Sequence, residues 1–260
     1  MSAVLKPRKL KSVKERVGKA EWDLRVDLAA AYQLAAAYKW TDLIYTHFSA
    51  RLPGHDEFLI NTYGLMFEEI TASTLVKIDH DGKVLDDPTG LGYNEAGFVI
   101  HGCMHEARPE AQCVIHTHTR AGVAVSAMKC GLLPISQHAM RVQRQVTYHD
   151  YEGVALEMGE RARMAKNLGK TSKAMILRNH GLLTLGESVR EAFELMYYLD
   201  TACQIQVDAL AGGLANVQEM STQAGDTAAA QLEREGRPAT HKDWPALLRM
   251  LDRRGVKYRE

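Results

Sequence analysis

Ala174-Met175-Ile176-Leu177-Arg178-Asn179-His180-Gly181-Leu182-Leu183-Thr184-Leu185 is the stretch whose reading decides the fold. Ala174 to Arg178 is apolar and short enough for a buried strand, and Leu182 to Leu185 reads the same way. Between them Asn179-His180-Gly181 forms a turn, since Gly181 lets the backbone bend sharply. Two strands joined so tightly must run antiparallel, because parallel neighbours need a crossover of about a dozen residues or more. A second unit of this kind is Leu75 to Asp79, Asp81-Gly82 and Lys83-Val84, where Asp-Gly accepts the positive φ angles of a primed turn. Ile44 to Arg51, Phe58 to Asn61 and Gln112 to His118 add further strands.

Helical patterns surround them. Leu24, Leu28, Ala31, Ala35 and Tyr38 form one apolar stripe along Glu21 to Lys39. Asn94 caps a helix to about Ala107, ended by Pro109. Ala121 to Lys129 is stopped by Gly131-Leu132-Leu133-Pro134, and Ala155 to Leu168 is another helix. Ser188 and Glu191 form a capping box for a helix reaching Leu210, which Gly212-Gly213 ends. Residues 214–260 read as one or two peripheral helices, the last starting at Asp243-Trp244-Pro245. Strands that cluster and pair by hairpins predict an α/β fold with a mainly antiparallel sheet under helices, rather than a doubly wound parallel one.

The bulk numbers narrow the function classes. The 260 residues are 46% hydrophobic and 25% charged, which suits a single core without disulfides. Lys and Arg total 32 and so do Asp and Glu, so no global field draws the chain to nucleic acid or anionic lipid. Cys103, Cys113, Cys130 and Cys203 form no CxxC pair and read as reduced, mostly buried thiols. No secretory leader and no run of about 18 apolar residues is present, which predicts a soluble cytoplasmic protein. Residues 1–20 are a basic arm, with Lys6, Arg8, Lys9, Lys11, Lys14, Arg16 and Lys19 against Glu15 alone, and are expected to be a solvated tail. Residues 21–213 then form the domain, with 214–260 as its peripheral helices.

Among the 11 histidines, His116-Thr117-His118 stands out. Residues two apart on a strand face the same way, about 7 Å apart at Cα, which suits two imidazoles on one ion. His180 sits at a strand end, where sites are commonly built. The spacing leaves open whether it joins the pair. Three nitrogen ligands with open positions would be a catalytic pattern rather than a closed structural one. His101 and His105, one helical turn apart, lack the His-Glu-x-x-His pattern of a zincin. His101 is expected to hydrogen-bond from behind the site.

Several motifs together resemble the class II aldolase/adducin family, in the branch of the adducin head domain and its bacterial relatives. They are Leu59-Ile60-Asn61, Gly64-Leu65-Met66, Ile70-Thr71-Ala72-Ser73, Ala96-Gly97-Phe98 through His101, Ala107-Arg108-Pro109, Val114-Ile115-His116-Thr117-His118, Ala124 to Pro134, and Leu177-Arg178-Asn179-His180-Gly181. The resemblance implies a three-layer α/β/α fold with a central, mainly antiparallel sheet, and a homotetramer with sites between subunits. It implies that His116, His118 and His180 hold a divalent metal, zinc first, with iron, manganese or cobalt as alternatives. It also assigns His47, Ser49, Asn61, Gly64 and His101 to the substrate side.

The departures from that family matter. Gly97 stands where the aldolases carry a glutamate that is both ligand and acid/base, and Glu95 is two residues away, about 200° round a helix. Glu95 would serve only if the helix began later. His47 stands at an asparagine position of the phosphate cradle, and Tyr63-Gly64 at a hydroxyl-glycine pair, while Ser49 matches. His138, in the segment after the His-x-His strand, is the remaining acid/base candidate. The reading is a metal-dependent lyase for a small hydroxy or keto acid or sugar-derived substrate, not a typical sugar-phosphate aldolase. The alternatives are an adducin-like oligomerisation scaffold and an iron-dependent oxygenase or decarboxylase. The chain has none of the Lys-rich tail by which adducins engage spectrin and actin, so binding to those partners is not expected.

Overall fold

The computed structural model describes residues 12–153, 158–235 and 242–260. Most of the basic arm, residues 1–11, and the expected helix start at Ala155 lie outside them. In chain order the elements are α1 (Val13–Arg16), α2 (Lys19–Ala37), β1 (His47–Arg51), β2 (Glu57–Ile60), β3 (Val76–Asp79), β4 (Val84–Asp86), α3 (Glu95–Ala107), β5 (Cys113–Thr117), α4 (Arg120–Ser126), α5 (Gln137–Val142), β6 (Val146–His149), α6 (Met158–Leu168), β7 (Ala174–Leu177), β8 (Gly181–Gly186), α7 (Val189–Leu210), α8 (Thr222–Glu235) and α9 (Asp243–Arg253). No described helix is long and apolar enough to cross a membrane.

The strands form one sheet in the order β4-β3-β2-β1-β5-β8-β7-β6. Every neighbouring pair is antiparallel except β6 and β7, which run parallel with α6 between them in the chain. The sequence pattern gave no expectation for β6 or α5, because each is too short to show a period. At the hairpin between β3 and β4 only Gly82 takes a positive φ, 84°, while Asp81 does not. The expected primed turn is therefore replaced by a turn in which Asp79 Oδ1 accepts from the amides of Asp81 and Lys83 at 3.0 and 2.9 Å. Residues before His47 also differ from the expected long strand. Leu43 and Thr46 have φ of 51° and 67°, so the chain turns there and β1 begins only at His47.

Strand alternation divides β1 and β5 between two faces. Phe48, Ala50, Cys113 and Ile115 pack with α2, α4 and α7 in the larger core. Val114, Met175, Leu177, Leu183 and Leu185 pack against Ile100, Cys103 and Met104 of α3 and Met164 and Leu168 of α6. The result is three layers, helices over both faces of the sheet. His47, Ser49 and His116 share the α3 face by the same alternation, while His118, expected on the strand, lies one residue past its end. Each large apolar side chain buried in this way contributes about 1.5–3 kcal/mol.

The C-terminal segment is less peripheral than its sequence suggests. Trp244, Leu251 and Tyr258 are buried in the larger core, and the carbonyls of Tyr258 and Glu260 accept from the amides of Ala72 and Ser73, both at 2.9 Å. The fastening of α2 also bears on the site. Tyr32, fully buried, stacks on Phe48 with ring centroids 4.5 Å apart. Its hydroxyl accepts from the Phe48 amide at 2.6 Å and lies 2.7 Å from the Phe48 carbonyl and 2.8 Å from Asn61 Oδ1. This one group locks the strand residue next to His47. Tyr32→Phe leaves those polar groups buried with one partner fewer, so it should lower stability by about 2 kcal/mol. Urea unfolding measures this directly, and a loss under about half a kcal/mol would show that the hydroxyl is not a fastening point.

Candidate metal centre

β5 is central in the sheet, between β1 and β8, and its last residue pairs with Leu182 across the ladder. His116 lies on it, and His118 follows directly after its end. The turn between β7 and β8 brings His180 to the same place, with Asn179 at φ 56°, a conformation asparagine tolerates. Gly181 is required here, because a Cβ on it would stand 2.4 Å from the Thr117 carbonyl oxygen. The three rings then meet pairwise, with centroids 4.7, 4.8 and 4.8 Å apart. Among the described residues these three form a group whose ligand atoms all lie within 4.8 Å of one another.

The donor chemistry fits a cation. His116 Nδ1 donates to the Leu182 carbonyl at 2.9 Å, and His118 Nδ1 donates to Asp42 Oδ2 at 2.9 Å. In their neutral forms both rings then turn a bare Nε2 inwards, and these atoms are 2.9 Å apart. Two imidazole lone pairs at that distance repel unless a metal ion or a proton lies between them. Two ligands on a tetrahedral zinc, at about 2.0–2.1 Å each, would stand about 3.3 Å apart, a small adjustment from this geometry. The Asp42 carboxylate behind His118 is the arrangement that orients a ligating imidazole and raises its basicity.

Burial keeps His116 and His180 neutral, as ligation requires. Desolvation, followed by the nearby His118, lowers His180 to about 4. His116 is held well below its ordinary value, first by burial and then by His180, His47 and His118. His47 is pushed down to about 3 by burial, then by His118 and His180.

Beside the three histidines opens a cleft of about 240 Å³, which Thr46, His47, Asn94, Gly97 and Tyr151 help to line. His47 pairs with His116 across the β1–β5 ladder, and their ring centroids are 5.3 Å apart. Behind it His47 Nδ1 is 2.8 Å from His101 Nε2, His101 Nδ1 is 2.6 Å from Ser49 Oγ, and Ser49 Oγ is 2.8 Å from His105 Nε2. Here a strand pair spaced by two meets a helix pair spaced by four. Gly97, one turn before His101, makes the approach feasible, since a Cβ there would lie 2.3 Å from the His47 ring.

Other sequence candidates lie elsewhere. Glu95 is the first residue of α3, directly after the Asn94 cap, exposed and not among the residues lining the cleft. The helix does not start late, so Glu95 does not turn to the centre. Asn61 is buried against Tyr32, and Gly64, with φ 105°, belongs to a loop outside the cleft lining. His138 lies on α5 with its ring 6.0 Å from that of Tyr198, on the α7 side of the sheet. Of the cysteines, Cys130 is exposed and the other three are buried, and none belongs to the histidine group. Asp42, Thr46 and Tyr151, all lining the cleft, are among the residues not singled out from sequence. Asp42 gave no signal because its partner is 76 residues away. Thr46 combines a φ of 67° with a hydroxyl that is buried and without a hydrogen-bond partner.

The buried histidines make stability depend on pH. His47 and His105, each at about 3, and His180, at about 4, lie below their ordinary value of 6.5, burial being the leading cause. The unfolded chain takes protons on them below that value and the folded chain does not. Stability is therefore full above it and is lost as pH falls towards the folded values. For protein stripped of metal with a chelator, three such groups give a slope approaching about 4 kcal/mol per pH unit near pH 5. Denaturant melts at a series of pH values test this, and stability that stays level from about pH 7 to pH 5 would contradict it.

Residues 26–207 match the family described as class II aldolase and adducin N-terminal domain. A Pseudomonas aeruginosa protein named by its aldolase class 2 likeness is 47% identical over 95% of this chain and 96% of its own length. Rat α-adducin is 44% identical over 92% of this chain, which spans 34% of that longer protein. Among solved structures, an aldolase II superfamily protein from Pseudomonas syringae is 52% identical with a TM-score of 0.92, covering 95% of this chain and 99% of the other. L-fuculose 1-phosphate aldolase from Glaciozyma antarctica PI12 is 27% identical with a TM-score of 0.80, covering 98% and 97%. On the matched span, the sheet and these relatives together, the chain belongs to the class II aldolase and adducin N-terminal domain family.

Proposed function

We propose that this protein is a divalent-metal-dependent lyase, with zinc as the first candidate, acting on a small hydroxy or keto acid or an unphosphorylated sugar-derived substrate. The observation that carries the reading is the convergence of His116, His118 and His180, two of them with tautomers already fixed for ligation, beside a small cleft. When bound, the metal would supply Lewis-acid stabilisation of negative charge developing on a substrate oxygen. The chain's own residues do the rest. His116 and His118 are aimed by the Leu182 carbonyl and by Asp42, so the site is organised before a ligand arrives. Thr46 offers a buried hydroxyl with no other partner to a polar group of the substrate.

The choice of substrate rests on what lines the cleft. No lysine or arginine is found among the described residues there, and a phosphate dianion would lack a charged partner. About 240 Å³ suits a molecule of a few carbons. His138 is proposed to act on the site of another subunit of a homotetramer, since α5 carries it away from this chain's own centre.

The similarity to adducin favours one second reading, an oligomerisation module without turnover. The two separate cleanly in experiment. Gently purified protein should hold about one zinc or related ion per chain by elemental analysis, and His116→Ala should abolish it. The metal-loaded protein should exchange the α-hydrogen of a small hydroxy or keto acid with deuterated water, followed by proton NMR, and His116→Ala should not. Absence of stoichiometric metal would sink the reading; metal without exchange on any acid or unphosphorylated ketose would favour the scaffold. Once a substrate is in hand, Thr46→Val should raise KM roughly fivefold with kcat little changed, as loss of one neutral hydrogen bond does. Unchanged KM would remove Thr46 from the substrate side.

A further inference from the structure

The hydrogen-bond chain behind His47 has only one direction in which it can be satisfied. Its far end is the Ala111 carbonyl, 3.0 Å from His105 Nδ1, and a carbonyl can only accept. His105 must therefore carry its proton on Nδ1 and present a lone pair at Nε2. Ser49, whose Oγ is 2.8 Å from that atom, donates its single proton there. The Ser49 oxygen then accepts from His101 Nδ1 at 2.6 Å. His101, with its proton on Nδ1, accepts at Nε2 from His47 Nδ1 at 2.8 Å. All four side chains are buried, Ser49, His101 and His105 completely and His47 to within 5%. With one proton on each ring and one on Ser49, the order cannot be reversed while the Ala111 carbonyl keeps its donor.

The near end is a bare nitrogen. His47 Nε2 is left with its lone pair at the wall of the cleft, 2.4 Å from where a Cβ on Gly97 would be. The ring fills the space that a side chain at position 97 would take. We propose that His47 is a specificity-determining residue whose Nε2 accepts a hydrogen bond from a hydroxyl group of a ligand held at the three-histidine centre. This rests on the metal reading above and narrows its substrate to one carrying a hydroxyl next to the atom that meets the ion, as in a 2-hydroxy acid. A neutral acceptor in this place also adds no negative charge. Asp42 bonds to His118 Nδ1 and also lines the cleft, but the three donors themselves are uncharged imidazoles, which leaves an ion here able to attract an anionic ligand such as a carboxylate.

The test reads tautomers, independently of turnover. In metal-free protein with its histidines labelled with heavy nitrogen, and signals assigned with single-histidine variants, long-range proton–nitrogen NMR should find His47, His101 and His105 all as neutral Nδ1–H forms. An Nε2–H form or an imidazolium at any of the three overturns the proposal. Ser49→Ala should release His47 to a mixture of tautomers; a single unchanged form would show that the chain does not set it. Protein loaded with NMR-active cadmium should show metal coupling at His116, His118 and His180 and none at His47. Coupling at His47 would make it a ligand and overturn the acceptor role. No coupling at any of the four would instead defeat the metal centre itself, whatever the tautomers. With zinc bound, glycolate should bind more tightly than acetate by calorimetry, and His47→Ala should cut that preference roughly fivefold while sparing acetate. An equal loss of both ligands would mean that His47 only supports the fold.

Discussion

Two imidazole nitrogens 2.9 Å apart, each on a ring whose other nitrogen donates elsewhere, cannot both keep a bare lone pair. That constraint governs the site. It is imposed by the strand period, which puts His116 and His118 on one face, and by two acceptors, the Leu182 carbonyl and Asp42, that hold the wrong-side nitrogens. The sheet makes the imposition rigid. β5 has neighbours on both sides and helices over both faces, so His116 cannot relieve the repulsion by moving its backbone. A metal ion shared by the two nitrogens, or a proton on one of them, is the relief that the geometry admits.

The same face carries a second histidine group, and the two are built differently. His116, His118 and His180 converge with their free nitrogens turned towards one another. His47, His101 and His105 instead run in line through Ser49, each nitrogen but His47 Nε2 facing a partner of its own. The first arrangement collects lone pairs and the second transmits one direction of donation from the Ala111 carbonyl to the cleft. Gly97 is where they meet, because only a residue without a side chain lets α3 bring His101 behind His47.

Much of this was legible in the sequence where a period or a turn fixed it. The β7–β8 hairpin, the Asn94 and Ser188 caps and the shared face of His116 and His118 all follow from local rules. The Ser188 oxygen does accept from the Glu191 amide, but Glu191 reaches the amide of Glu187 rather than that of Ser188 itself. What could not be read was long-range. Asp42 meets His118 through a tight turn that no residue type announces, and Ser49 meets His101 and His105 only because β1 lies beneath α3. β6 and α5 were missed for a plainer reason, since four and six residues are too few to show a period. The arrival of Tyr258 and Glu260 at Ala72 and Ser73 likewise depends on the whole chain having folded.

Thr46 brings the argument to a point about strain. Two residues before cleft histidines take left-handed backbone, Asn179 before His180 and Thr46 before His47. At the first the fold uses asparagine, which enters that region at little cost. At the second it uses a β-branched residue, for which the same region costs on the order of 1–3 kcal/mol. Burial of an unpartnered hydroxyl adds a further penalty at the same residue. A glycine or asparagine would make the turn without either expense, so the turn alone does not account for threonine. The Thr46 hydroxyl is therefore a hydrogen-bonding group beside the histidines that no other side chain claims, open to a water or to a substrate oxygen in the cleft.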